Sequence, residues 1–105
     1  MIRRGAQARP TGTDMAAEGM RRLILLNTAV REAYPEDSIA PGVVLSHIGP
    51  DHHYGSVCRY HGAGRTVVIS ATARTLPDCI TLLARKWAAP KPARDALIDA
   101  LTGRG

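Results

Sequence analysis

The sequence predicts one α+β domain, ordered α-β-β-β-α-α, in which a three-stranded antiparallel sheet carries its helices packed on one face. Three observations predict it. Apolar residues recur at helical spacing early in the chain, three β-prone runs separated by glycine-bearing turns follow, and two more helical patterns close the sequence. Hairpins with the helices gathered on one side make a two-layer arrangement whose other sheet face is wetted or open to a partner. At 105 residues the chain has the length of a single domain with one modest core.

Residues 1–12, MIRRGAQARPTG, read as a flexible basic tail suited to an anionic partner, and the domain spans 13–105. Thr13 or Asp14 is a candidate cap, because a short side-chain oxygen accepts from the free N–H groups of a first turn. Ala16, Met20, Leu23, Ile24, Leu26, Ala29, Val30 and Ala33 then follow at helical spacing. The helix should end near Tyr34, since Pro35 disfavours helical backbone in the residue before it. A connector over 35–42 leads to strand-like segments at 43–48, 56–61 and 65–71. The turns between them are predicted over 49–55 and 62–64, where glycines supply tight corners. Thr75 caps the next helix, with Pro77 in its first turn and Asp78 at the position that completes a capping box. That helix should end at Pro90, and a short terminal helix covers 92–101 with Leu97, Ile98 and Leu101 as its apolar stripe.

Hydrophobic residues make up 45% and charged residues 22%, ordinary for a globular chain; Phe is absent and aromatics are only 4%, so the core must be aliphatic. No apolar run approaches the ~18 residues of a membrane helix. Arg3 and Arg4 are followed by no apolar segment of the secretory type. Two cysteines do not make a disulfide framework. The expectation is a cytoplasmic chain with reduced thiols and no membrane partner.

The net charge is +5, and 12 of the 14 basic residues are Arg. Arginine suits bidentate contact with carboxylate and phosphate, so an acidic protein surface, a nucleoprotein complex or nucleic acid is an apt partner. GC-rich coding raises Arg, Ala, Gly and Pro together and accounts for the same composition. No Walker loop, GxSxG, GxGxxG or paired-carboxylate motif is present.

All four histidines, His47, His52, His53 and His61, fall within fifteen residues, together with Cys58 and Asp51. Histidine is the commonest metal ligand and the side chain whose ordinary titration lies nearest neutrality. Strand alternation divides the group. With the turn over 49–55, Ile48 opposes Ser56, Ser46 opposes Cys58 and Val44 opposes Tyr60, all on one face. A bulge at Gly62–Gly64 adds Val67, Ile69 and Ala71 to that face, which is then the one the helices cover. Val43, Leu45, His47, Val57, Arg59 and His61 take the opposite face. His61 would oppose Val43, leaving His47 and His61 about 13 Å apart, too far to share one metal ion. Asp51, His52 and His53 remain as a compact group on an exposed turn, without CxxC, HExxH or paired Cys/His spacing. No metal, cofactor or catalytic residue is expected. Cys58 and Cys79 read as core thiols, and Trp87, at helical spacing from Ile80 and Leu83, reads as the one large core anchor beside the basic pair Arg85 and Lys86. Arg59, His61, Arg65 and Arg74 form a candidate basic edge. The candidate partner-binding set is His47, His52, His53, Arg59, His61, Arg65 and Arg74.

The α-β-β-β-α order resembles the double-stranded RNA-binding domain, a likeness that implies RNA contact through the start of the last helix; there the chain reads Thr75-Leu-Pro-Asp78, not a lysine cluster. The same compact order, with a histidine near the first strand, resembles HicA-type RNA-cleaving toxins and implies a role for His47 or for His52 and His53; the glycine-serine-histidine pattern of that family is absent. Residues 64–83, GRTVVISATARTLPDCITLL, resemble small phage and prophage accessory proteins, anti-CRISPR inhibitors among them, in which a strand runs into a T-L-x-x-A-L-x-x-L helix. That likeness implies a non-enzymatic protein acting by stoichiometric contact. A binding protein of this kind is the expected function. An RNA-binding module and a histidine-dependent RNA-cleaving toxin stay open as alternatives, as does a homodimer.

Overall fold

The computed structural model describes residues 12–87 and 91–103. Apart from Gly12, the basic tail expected over 1–12 lies outside the described residues, and so does Pro90. The element order is α1 (Gly12–Ala33), β1 (Ile39–Gly49), β2 (His52–His61), β3 (Gly64–Ala73), α2 (Leu76–Lys86) and α3 (Lys91–Thr102). The three strands form one antiparallel sheet in the order β1-β2-β3. The chain is therefore the α-β-β-β-α-α protein that its residue pattern predicts.

α1 already includes Thr13 and Asp14, and it ends one residue before Tyr34, as Pro35 requires. α2 starts as its sequence dictates: Thr75, in extended backbone, accepts from the Asp78 amide through its hydroxyl at 3.2 Å, and Pro77 stands in the first turn. Leu26, Val30, Ile80, Leu83 and Ala84 of α1 and α2 share one core with Val57 and Ala71 of the sheet, and Leu97 and Leu101 of α3 join it by packing on α1 and α2. Trp87 closes this aliphatic core. It is only 2% exposed, donates its indole N–H to the Tyr34 hydroxyl at 3.1 Å, and meets the Tyr34 ring edge-on at 6.3 Å.

The strands depart from expectation at their ends. β1 begins at Ile39, inside the expected connector, and tolerates Pro41 because it is an edge strand whose pairing shifts between Ile39 and Gly42. The β1–β2 turn is Pro50 and Asp51 alone, so His52, His53, Tyr54 and Gly55 are strand residues and not parts of an exposed turn. The second turn is Gly62 and Ala63, with Gly62 at φ +57°, the left-handed region in which glycine carries no side-chain penalty.

The shorter first turn changes the register. Val43 opposes Val57, Leu45 opposes Gly55, Ser46 opposes Tyr54 and His47 opposes His53. Val57 in turn opposes Ile69, and Gly55 opposes Ala71. Val57 and Ala71 lie in the core, and Val43, Leu45 and Ile69 pack against it. The helices therefore cover the face of Val43, Leu45 and Val57. This reverses the expected assignment for β1 and β2: Ile48, Val44, Cys58 and Tyr60 stand on the far side. Ile69 and Ala71 do face the helices, but Val67 does not. The extra residue in β3 is Val68, between the Val57–Ile69 and Cys58–Val67 pairs, and not in the turn at Gly62–Gly64.

Two close approaches bring the layers together. A Cβ on Gly55 would lie 2.7 Å from Leu83, 3.1 Å from Leu45 and 3.3 Å from the Cys79 sulfur, so its bare backbone lets α2 sit down on the middle strand. A Cβ on Gly19 would meet Leu76 at 2.6 Å, where α1 crosses the start of α2. The helices are also clamped by polar contacts. Glu18 binds Arg21 at 2.7 Å and Arg22 at 2.6 Å. Arg21 donates onward to the carbonyls of Ala100 and Leu101 at the end of α3, and Arg22 donates to the Thr81 hydroxyl and the Pro77 carbonyl of α2. The two guanidinium hydrogen bonds hold the Glu18 carboxyl down at a pKa of about 2.

Candidate docking face

Side chains alternate along a strand, so the register above fixes what the helix-free face carries. β1 supplies Ile39, Val44, Ser46 and Ile48. β2 supplies His52, Tyr54, Ser56, Cys58 and Tyr60. β3 supplies Arg65, Val67, Ser70 and Thr72. Ile48 is 67% exposed, Ile39 58%, Val67 48% and Val44 37%. Ser56 and Cys58 on the middle strand are buried, and their side chains meet at 3.6 Å. Cys58 is thus buried as expected, yet it stands outside the helix-covered core.

The sheet edges are guarded. On β1, Pro41 removes a donor and the Val43 amide gives its hydrogen to the Asn27 side chain at 3.1 Å. On β3, Lys86 donates to the Ser70 carbonyl at 2.8 Å, and the extra residue at Val68 disturbs the ladder. Such devices discourage pairing with another strand and leave the broad face, not the edge, as the available surface.

The seven sequence-predicted site residues divide between the two ends of the sheet. His47 and His53 pair directly across β1 and β2 on the helix side, with rings stacked at 4.7 Å and 11°. His53 lines a groove of about 320 Å³ with Met15, Ala16, Pro50, Asp51, Arg74, Thr75 and Leu76. His52 points to the opposite face and shares a second groove with Asp51, Thr72, Ala73 and Arg74. At the far end, His61 binds the Thr66 hydroxyl at 2.9 Å. Arg65 opposes Tyr60 on the helix-free face.

Arg59 sits on the helix side and is held there. It forms two hydrogen bonds with Asp37, at 2.9 and 3.2 Å, and its guanidinium lies 4.0 Å over the Tyr34 ring. The hydrogen bonds from Arg59 lower the Asp37 pKa from its ordinary value and raise that of Arg59 itself. Arg21, Arg22 and Arg59 thus spend their charge inside the fold. Among the described residues no group of three or more His, Cys, Asp or Glu side chains is placed to hold a metal ion. Cys79 is fully buried, its thiol meets the Ala71 carbonyl at 3.6 Å, and burial raises its pKa, which withholds the reactive thiolate.

The residues that sequence reasoning missed as surface are Ile39, Val44, Ile48 and Val67. Their signal is that β1 is apolar at both parities, Val43 and Leu45 on one side and Val44 and Ile48 on the other. In a two-layer fold such a strand must leave one apolar row uncovered. No known family, no curated protein and no solved structure matches this chain. No helix among the described residues is long and apolar enough to cross a membrane.

Proposed function

We propose that the protein is a stoichiometric, non-enzymatic binding module that docks a protein partner on the helix-free face of its sheet. One observation carries this reading: four large aliphatic side chains, three on β1 and one on β3, stand exposed on the sheet face whose opposite side holds the core. An exposed apolar patch with a polar surround is the usual mark of an interaction site. The hydroxyl-bearing Ser46, Ser70, Thr72, Tyr54 and Tyr60 stand among and beside these aliphatic groups on the same face. An inhibitor or accessory protein of a mobile element is the finer form of the proposal, and it rests on the resemblance of residues 64–83. RNA binding is weakened as a reading because Arg21, Arg22 and Arg59 are engaged within the fold.

Capture from host lysate with and without nuclease tests the proposal. The expected result is a protein retained in equimolar amount in both arms by the wild-type chain and lost with Ile48→Asp. Retention that vanishes on nuclease treatment, or that ignores Ile48→Asp, overturns it.

A further inference from the structure

The charges of the chain are distributed unevenly between its layers. None of the nine Asp and Glu residues lies in β1, β2 or β3; all belong to helices, turns or connectors. The basic residues on the helix-free face are Arg65 at one end and His52 at the other. Beyond the strand ends, Asp51 is matched by Arg74, which lines the same groove. The face therefore carries aliphatic side chains along its two edge strands, one arginine at its margin and no carboxylate along its strands, on a chain of net charge +5.

We infer that the partner of this face is an acidic protein surface whose carboxylates pair with Arg65 and accept a hydrogen bond from the His52 ring, beside the exposed aliphatic side chains. The inference rests on the docking role proposed above and names the chemistry of the occupant. Complementary charge sets partner choice and encounter rate, and like charge across an interface is costly. A second copy of the chain fits poorly for that reason, since it presses one +5 molecule on another through faces that share their sign. Nucleic acid fits poorly for a different reason. Its bases stack on aromatic rings, but Tyr54 and Tyr60 lie six residues apart on β2, about 20 Å, too far for successive bases to use both. Val44 and Val67, exposed between those two rings, are aliphatic and suit a protein interface.

The test is a titration of the isotope-labelled full chain, followed by NMR, with three soluble probes. One is a synthetic peptide of alternating Glu and Leu, the second is the same peptide with Lys for Glu, and the third is oligouridine. Sedimentation of the chain alone provides the fourth arm. The expected result is that the Glu peptide shifts the signals of Val44, Ile48 and Val67. Its binding should weaken about three- to tenfold in Arg65→Glu and fall as salt rises. A Lys peptide that binds as well, or self-association through the face, overturns the acidic partner and leaves the docking role standing; oligouridine that shifts Tyr54 and Tyr60 overturns both. A face that no probe and no second copy perturbs overturns both.

Discussion

Gly55 stands in the middle strand because α2 lies on top of it. Leu83, Leu45 and the Cys79 sulfur already occupy the space a methyl group would need. Gly55→Ala should therefore destabilise the fold by about 1–3 kcal/mol, the usual range for overpacking, even though alanine suits a strand better than glycine does. Chemical denaturation of the two proteins checks this. Arg59 is the other residue whose role becomes plain only in three dimensions. Its guanidinium meets Asp37 in a fork and covers the Tyr34 ring, and Tyr34 in turn holds Trp87. Lysine keeps the charge but neither the fork nor the flat stacking surface. Arg59→Lys should lower the melting temperature and let the Asp37 carboxyl rise toward its ordinary pKa, which side-chain carbon NMR reads directly.

Among the elements, α1 is tied to α2 and α3 through Glu18, and that tie has a pH signature. The folded state depresses the Glu18 pKa from 4.5 to about 2. Its contribution is then complete above about pH 4.5 and is lost as pH falls from there toward 2. Glu18→Gln should melt below the wild type at pH 7, and the gap should close by pH 2. A gap that is constant from pH 7 to 2 assigns the loss to packing instead. Thr75→Ala removes the cap of α2 and should cost about 1 kcal/mol. That helix was legible in the sequence, since its cap, its early proline and its apolar side all belong to one short segment. The hairpin of β1 and β2 was not. Gly49 and Gly55 look alike in sequence, and both suggested a turn, but Gly55 is a glycine of close approach and Pro50-Asp51 makes the corner. Assigning the seven residues 49–55 to a turn shifts the register. Because β1 is apolar at both parities, nothing local to it said which row the helices would cover.

At the scale of the molecule, the helices gather on one side of a three-stranded sheet, and among the described residues no helix covers the other side. The histidine set is divided by that architecture: His47 and His53 stack on the helix side, His52 points to the other face, and His61 lies at the opposite end. The uncovered face holds Ile39, Val44, Ile48 and Val67, and the guarded edges of β1 and β3 leave it as the broadest surface for a partner. Met20 and Ile24 are equally exposed on α1, at 54% and 58%, and supply a matched control on the helical layer. The most direct measurement is calorimetric titration of the captured partner into wild-type protein, the double variant Val44→Asp/Ile48→Asp and the double variant Met20→Asp/Ile24→Asp, each first shown by its melting curve to be folded. Docking on the sheet face predicts that the first pair weakens binding by about a hundredfold or more and that the second changes it less than about threefold. Binding that survives the sheet pair and fails with the helix pair would contradict the account.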